Sequence, residues 1–209
     1  MTREQVVKQV YLLDTKGLVT TTRGDKLAAH KVGLARSDIA EADNAKYKTL
    51  LDVVKAVKPT AIIGLAASGP AFTEDIVKFI ASYCERPIVF PLSNPTSKAE
   101  ISSTDAYTWT NGKAIVASGS PFPACVVNGK TLKPSQGNNM YIFPGIGLGC
   151  CMAQVSSITD TVMTRSAAAL ADMVEEADLE AGLYPPLTEI RKVSAVVAAA
   201  VVAQAQKEG

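Results

Sequence analysis

The sequence is poor in the residues that most often carry proton chemistry or bind zinc. It has one histidine, His30, and four cysteines, Cys84, Cys125, Cys150 and Cys151, none in CxxC spacing. No Ser–His–Asp set is evident around the lone histidine, and cysteines with neither CxxC spacing nor a His partner pattern do not read as a zinc site. The helix-like, charged surroundings of His30 point to exposure, and the adjacent Cys150 and Cys151 read as small hydrophobes filling core space. Thiols without a disulfide pattern suit a reducing compartment. Excess charge of one sign is also missing, with 21 Lys and Arg against 20 Asp and Glu. That balance gives no general attraction for nucleic acid or an anionic membrane, so any anionic ligand must be bound locally. The most apolar stretch, VSAVVAAAVVAQA at 193–205, falls short of the roughly 20 residues of a membrane span and reads as a buried, alanine-rich helix. The last shortage is of glycine near the N-terminus. QVYLLDTKGLV at 9–19 is an apolar strand ending on Asp14, as the ribose-binding strand of a dinucleotide fold does, yet none of the 13 residues before Asp14 is a glycine.

The chain has 209 residues and 47% hydrophobic content, enough for one sizeable core, and neither a linker nor an internal repeat divides it. A single domain over 1–209 is expected. Apolar runs alternate with helical spacing, the pattern of an α/β fold with a mainly parallel sheet and flanking helices. Strands are predicted at 10–14, 61–67, 87–95 and 114–122, and helices at 49–57, 72–84, 146–158, 160–176 and 188–206. Pro59 stops the first of those helices, and Thr73 is the predicted N-cap of the second. The opening MTREQVVKQ looks like the end of a helix, cut into. Asn128-Gly129 marks a hairpin turn within 125–134.

Each predicted strand runs into a loop rich in Gly, Ser, Asn or Pro, and open α/β sheets bind ligands at those carboxyl ends. Asp14 suits a ribose-diol acceptor or a plain turn acid. The small residues of GLAASGPAF at 64–72 allow a backbone to approach a nucleotide closely, or simply start a packed helix. Asn94 in LSNPT and the pair Asn138-Asn139 in QGNN place neutral amides where a small polar substrate could be oriented. GIGLGC at 145–150 imitates a phosphate loop but lacks the following strand-terminal acid, so close packing of a glycine-rich helix face explains it better. No general acid or base is evident.

Taken in order, LLDTKGLV, IIGLAASGPAFT, ERPIVFPLSNPTSKAE, AYTWTNGKAIVASGSPF and QGNNMYIFPGIGLG, followed by SITD and GLYPPL, resemble the C-terminal, cofactor-binding portion of malic enzyme over nearly the whole chain. That resemblance implies a Rossmann-like domain truncated at its N-terminal strand and phosphate loop, in a parent that oxidises L-malate with NADP, or alternatively NAD, and releases pyruvate. It also implies a Mn or Mg ion, whose ligands, like the family's tyrosine acid and lysine base, have no counterpart here. Carried over residue by residue, Asp14 matches the acid near the adenine ribose. Gly64, Leu65, Ala66 and Ala67 match the stretch along the cofactor. Asn94 and Asn138, with Asn139 beside them, match amides of the malate pocket. Lys31 falls where NADP-using members resemble one another in carrying a lysine for the 2′-phosphate, and Arg23 adds to the positive field. The resemblance further implies a homo-oligomer, a cytoplasmic or mitochondrial matrix location, and no catalysis by this chain alone. The alternative is an isolated nucleotide-binding or structural module whose bared sheet edge re-pairs or self-associates.

Overall fold

A computed structural model describes residues 2–175 and 182–209. The chain opens with helix α1 (Arg3–Val7), started by a reciprocal Thr2–Gln5 cap, so a helix does occupy the opening segment. Strand β1 (Leu13–Asp14) then turns back onto β2 (Gly17–Leu18), and the short helix α2 (Ala29–Val32) carries the exposed His30. The run at 10–14, expected as a strand of the main sheet, instead pairs antiparallel with its own neighbour, Leu13 opposite Leu18. A ribose strand in a Rossmann sheet lies beside the strand that carries the phosphate loop. The described residues include no such strand, and the local turn takes up the hydrogen bonds. Gly17 makes that turn possible. Its φ is +103°, and a Cβ there would lie 2.7 Å from the Tyr47 carbonyl oxygen.

Helix α3 (Leu50–Val57) shows why the next stretch is helical. Thr49 and Asp52 cap each other's backbone N–H, and Lys58 leaves the helix in the left-handed region immediately before Pro59. From there the chain alternates: β3 (Ala61–Gly64), α4 (Glu74–Tyr83), β4 (Ile88–Pro91), α5 (Ser103–Trp109), β5 (Ile115–Ser118). Thr73 is the N-cap residue of α4, as expected, although its hydroxyl makes no capping bond. A hairpin of β6 (Cys125–Val127) and β7 (Lys130–Leu132) follows, with both turn residues, Asn128 and Gly129, at positive φ as a type I′ turn needs. Strand β8 (Ser135–Gln136) then completes a four-stranded parallel sheet in the order β3-β4-β5-β8.

Ile62, Val89 and Val116 of that sheet bury against Val54 of α3, Ile76, Val77 and Ile80 of α4, and Tyr107 of α5. Each such aliphatic side chain contributes roughly 1.5–3 kcal/mol by leaving water. Among the described residues strand β3 pairs on one side only, and its Ile63 is 55% exposed, leaving a bare apolar edge.

A second core lies among three helices, α6 (Phe143–Ala153), α7 (Asp160–Ala171) and α8 (Ile190–Glu208). The helix expected over 160–176 thus ends at Ala171, and its expected last residue, 176, lies outside the described residues. Val193, Val197 and Val201 recur one turn apart on α8 and are fully buried, as the alanine-rich pattern predicts. Against them stand Gly145 and Gly149 of GIGLGC. A Cβ at either would come within 2.6 Å of a valine side chain, so this motif is a close-packed seam, while a Cβ at Gly147 would meet nothing within 4 Å. The same geometry corrects the expectation for the cysteines. Cys151 lies two residues past Gly149, roughly 200° around the helix, and is exposed, while Cys150, Cys84 and Cys125 are half-buried and all four are free.

The seam predicts opposite outcomes for neighbouring glycines. Gly147→Ala should raise stability by about 0.4–1 kcal/mol by stiffening the unfolded chain. Gly149→Ala should lower it by about 1–3 kcal/mol through overpacking, both read from urea unfolding midpoints.

Candidate functional site

Because β3, β4, β5 and β8 run in parallel, their carboxyl ends share one edge, and the loops that leave them meet there. Leu65, Ala66 and Ala67 follow β3 and are exposed, with Ala67 in the left-handed region at φ +49°. Asn94 follows β4 and accepts a hydrogen bond at Oδ1 from the Ser120 hydroxyl at the end of β5. That contact leaves the Asn94 NH2 group as the free donor. Gly119 sits between these loops, where a Cβ would fall 2.3 Å from the Leu92 carbonyl oxygen. The Gly137 N–H donates to the Ser118 carbonyl at 2.9 Å and brings Asn138 to the same edge. Asn138 spends its Oδ1 on the Met140 N–H at 2.9 Å, and Asn139 is exposed beside it.

Ser93 and Glu100 lie beneath these loops. The Ser93 hydroxyl accepts from the Ala67 N–H at 2.9 Å and donates to Glu100 Oε1. Glu100 is only 2% exposed and packs against Gly64, where a Cβ would lie 2.1 Å from its carboxyl carbon. Neither Ser93, Glu100 nor Ser120 was singled out from the sequence. The one available signal was that LSNPTSKAE places a glutamate in an otherwise small and polar loop. A cavity of about 370 Å³ adjoins Glu100, Phe72, Asp105, Trp109 and Phe122, and none of the expected site residues lines it.

The other expected residues form a separate ionic cluster. Arg23 donates to both oxygens of Asp14, at 2.8 and 2.9 Å, and Lys31 donates to Oδ2 at 2.7 Å. The Lys16 N–H adds a fourth contact at 2.9 Å. Arg23 also bonds Asp25, which Lys16 reaches at 3.1 Å. The Arg23 guanidinium, helped by Lys31 and the Lys16 amide, holds the Asp14 carboxyl far below the usual carboxylate range. Arg23 likewise brings Asp25 down to about 2. Three cations face two acids, so the cluster keeps a positive surplus beside Asp14. Among the described residues no hydrogen bond or ion pair links this cluster to the strand-edge loops.

The family description "Malic enzyme, NAD binding domain" matches residues 1–206. The chain belongs to the malic enzyme family. It is 44% identical over 210 residues to the NADP-dependent malic enzyme of Dictyostelium discoideum, covering 100% of this chain and 38% of that protein. It is 45% identical over 208 residues to the NADP-dependent malic enzyme of Homo sapiens, covering 99% of this chain and 35% of the relative. The chain thus spans about a third of the length of the curated relatives it matches.

For a malic enzyme NAD-binding domain the donor set is apt. Exposed backbone follows β3, free amides follow β4 and β8, and a carboxylate with surplus cations suits ribose and phosphate. Among the described residues no group of three or more His, Cys, Asp or Glu is gathered to hold a metal ion, and no helix is long and apolar enough to cross a membrane.

The cluster has a pH signature. A carboxyl depressed in the folded state contributes stability that is complete above its unfolded value of about 3.9 and is lost as pH falls through the folded value. Stability should therefore decline below pH 4, with the last of the Asp25 share lost as pH falls through about 2. Asp14→Asn leaves Lys31 without its carboxylate and Arg23 with Asp25 alone, and should cost about 1–3 kcal/mol at pH 7 while flattening that acid-side decline, as urea titrations across the pH range would show.

Proposed function

We propose that this chain supplies the nicotinamide-cofactor half of an enzyme that converts L-malate and NADP⁺ to pyruvate, CO₂ and NADPH. What carries the proposal is the convergence of the Leu65–Ala67 backbone, the Asn94 amide and the Asn138 loop on one carboxyl edge, in a chain whose relatives are named NADP-dependent malic enzymes. Bound NADP⁺ supplies the hydride acceptor. The residues of this chain orient the reactants. Gly64 to Ala67 would give the cofactor a close backbone surface, and Asp14 would accept from the adenine ribose. Lys31, aided by Arg23, would meet the 2′-phosphate, whose two charges offset the loss of its contact with Asp14. Asn94 would donate its amide to a malate carboxylate or carbonyl, with Asn138 and Asn139 at the rim.

In this reading the acid, the base and the Mn or Mg site lie in other parts of the intact enzyme, and this chain alone is inactive. Four free thiols fit the cytoplasm or the mitochondrial matrix. The half-paired β3 with its exposed Ile63 favours a homo-oligomer, or docking on the rest of the protein, over a free monomer.

Two measurements test this. Protein isolated at its native length should reduce NADP⁺ in a malate- and Mn-dependent way, and an intact mass far above that of 209 residues should accompany the activity. Absence of malate-dependent reduction at full native length would sink the proposal. Lys31→Ser should lower kcat/KM for NADP⁺ by about tenfold or more and leave that for NAD⁺ nearly unchanged, because NAD⁺ lacks the phosphate that loses a charge-assisted bond and Asp14 keeps both of its bonds from Arg23.

A further inference from the structure

We propose that Glu100 is a positioning residue that fixes the loop after β3 for the cofactor, acting through Ser93 and through its own carbonyl. The inference rests on the reading of the strand edge as a nicotinamide site and adds to it the device that sets the shape of the loop.

Glu100 makes little sense as a stabiliser alone. Its side chain is buried, its Oε2 has no hydrogen-bond partner among the described residues, and position 64 has room for nothing larger than glycine because the carboxyl fills the space. A buried, half-satisfied carboxylate costs stability that an apolar side chain of the same size would not. What the carboxylate achieves is local. Ser93 has a single hydroxyl proton, and giving it to Glu100 Oε1 turns the Ser93 lone pairs toward the Ala67 N–H. A hydroxyl donating to a carboxylate is also a stronger acceptor. Ala67 needs the anchor, since a residue with a Cβ at φ +49° is strained by roughly 1–2 kcal/mol.

The Glu100 backbone holds the far end of the same loop. Its carbonyl accepts from the Ala71 N–H at 2.9 Å and the Phe72 N–H at 3.0 Å. One residue therefore grips both ends of a six-residue span, and the intermediary Ser93 is the chain neighbour of Asn94. The exposed Leu65–Ala67 backbone is held in one shape before any ligand arrives.

The test uses the protein at its native length. Glu100→Met, which keeps the length and removes the acceptor, and Ser93→Ala should each raise the KM for NADP⁺ about tenfold while kcat at saturating cofactor stays within about threefold. Combining them should raise KM no further than either alone, since both break one chain of contacts. Glu100→Gln keeps the Oε1 acceptor and should return KM to within about threefold of the parent protein. Independently of activity, hydrogen exchange at the Ala67 amide should speed at least about tenfold in Glu100→Met and Ser93→Ala, and not in Glu100→Gln. If Glu100→Met fails to fold, Ser93→Ala decides alone. Folded variants with unchanged KM, or failure of both to fold, overturn the role of Glu100. A parent protein that reduces no cofactor with malate overturns the underlying reading instead.

Discussion

Three strands running in one direction, with Ile62 beside Val89 and Val89 beside Val116, force the chain to cross the sheet through a helix each time and to empty its loops along one edge. Parallel pairing leaves no alternative, because a tight hairpin can join only antiparallel neighbours. The helices α4 and α5 each turn one face onto the sheet, and the loops after β3, β4 and β5 are left to gather along its carboxyl edge. The short β8 extends the arrangement by pairing with Ala117 and Ser118, so that Asn138 arrives at the same edge two residues past the strand. Placement of polar groups at the edge is thus a consequence of how the apolar groups pack beneath it.

The N-terminal segment is organised by charge, with little apolar burial of its own. Arg36 shows how: it is 6% exposed, bonds Asp38, donates to the Lys8 carbonyl at 2.5 Å and lies 4.4 Å over the Tyr11 ring. A guanidinium can serve four directions at once because its donors fan out in a plane whose faces remain free for stacking. Asp14, Arg23 and Lys31 repeat the idea at the tip of the β1–β2 turn. Such a segment responds to ionic strength and acid more than the sheet does, since its contacts lie near the surface and its pairs are charged.

Much of this was legible in the amino-acid sequence, for identifiable reasons. The parallel sheet, α8 and the 125–134 hairpin announce themselves through periodicity and a turn dipeptide, and the glycines of GIGLGC lacked the context of a phosphate loop. Residues 10–14 have the composition of a sheet strand, but composition does not supply a partner, and the backbone paired locally. Strand β8 is two polar residues with no pattern to detect. Cys151 was misplaced because a helix that is apolar all round gives no signal of which face is covered. Ser93 and Ser120 were invisible, and Glu100 was marked only by its charge, for a different reason: their importance lies in contacts between loops that are adjacent in space and not in sequence.

The glycine seam has one more implication. Two notches on α6, one helical turn apart, receive two valines on α8 with the same spacing, so the helices mesh like a key in its wards. Sliding by a residue would drive a valine into backbone, and rotation would bring a side chain where only hydrogen fits. Helix α6 begins five residues after Asn138, so the chain passes within one short turn from the sheet edge at β8 into the meshed helix. The three-helix core thereby limits how far the loop after β8 can shift along that edge.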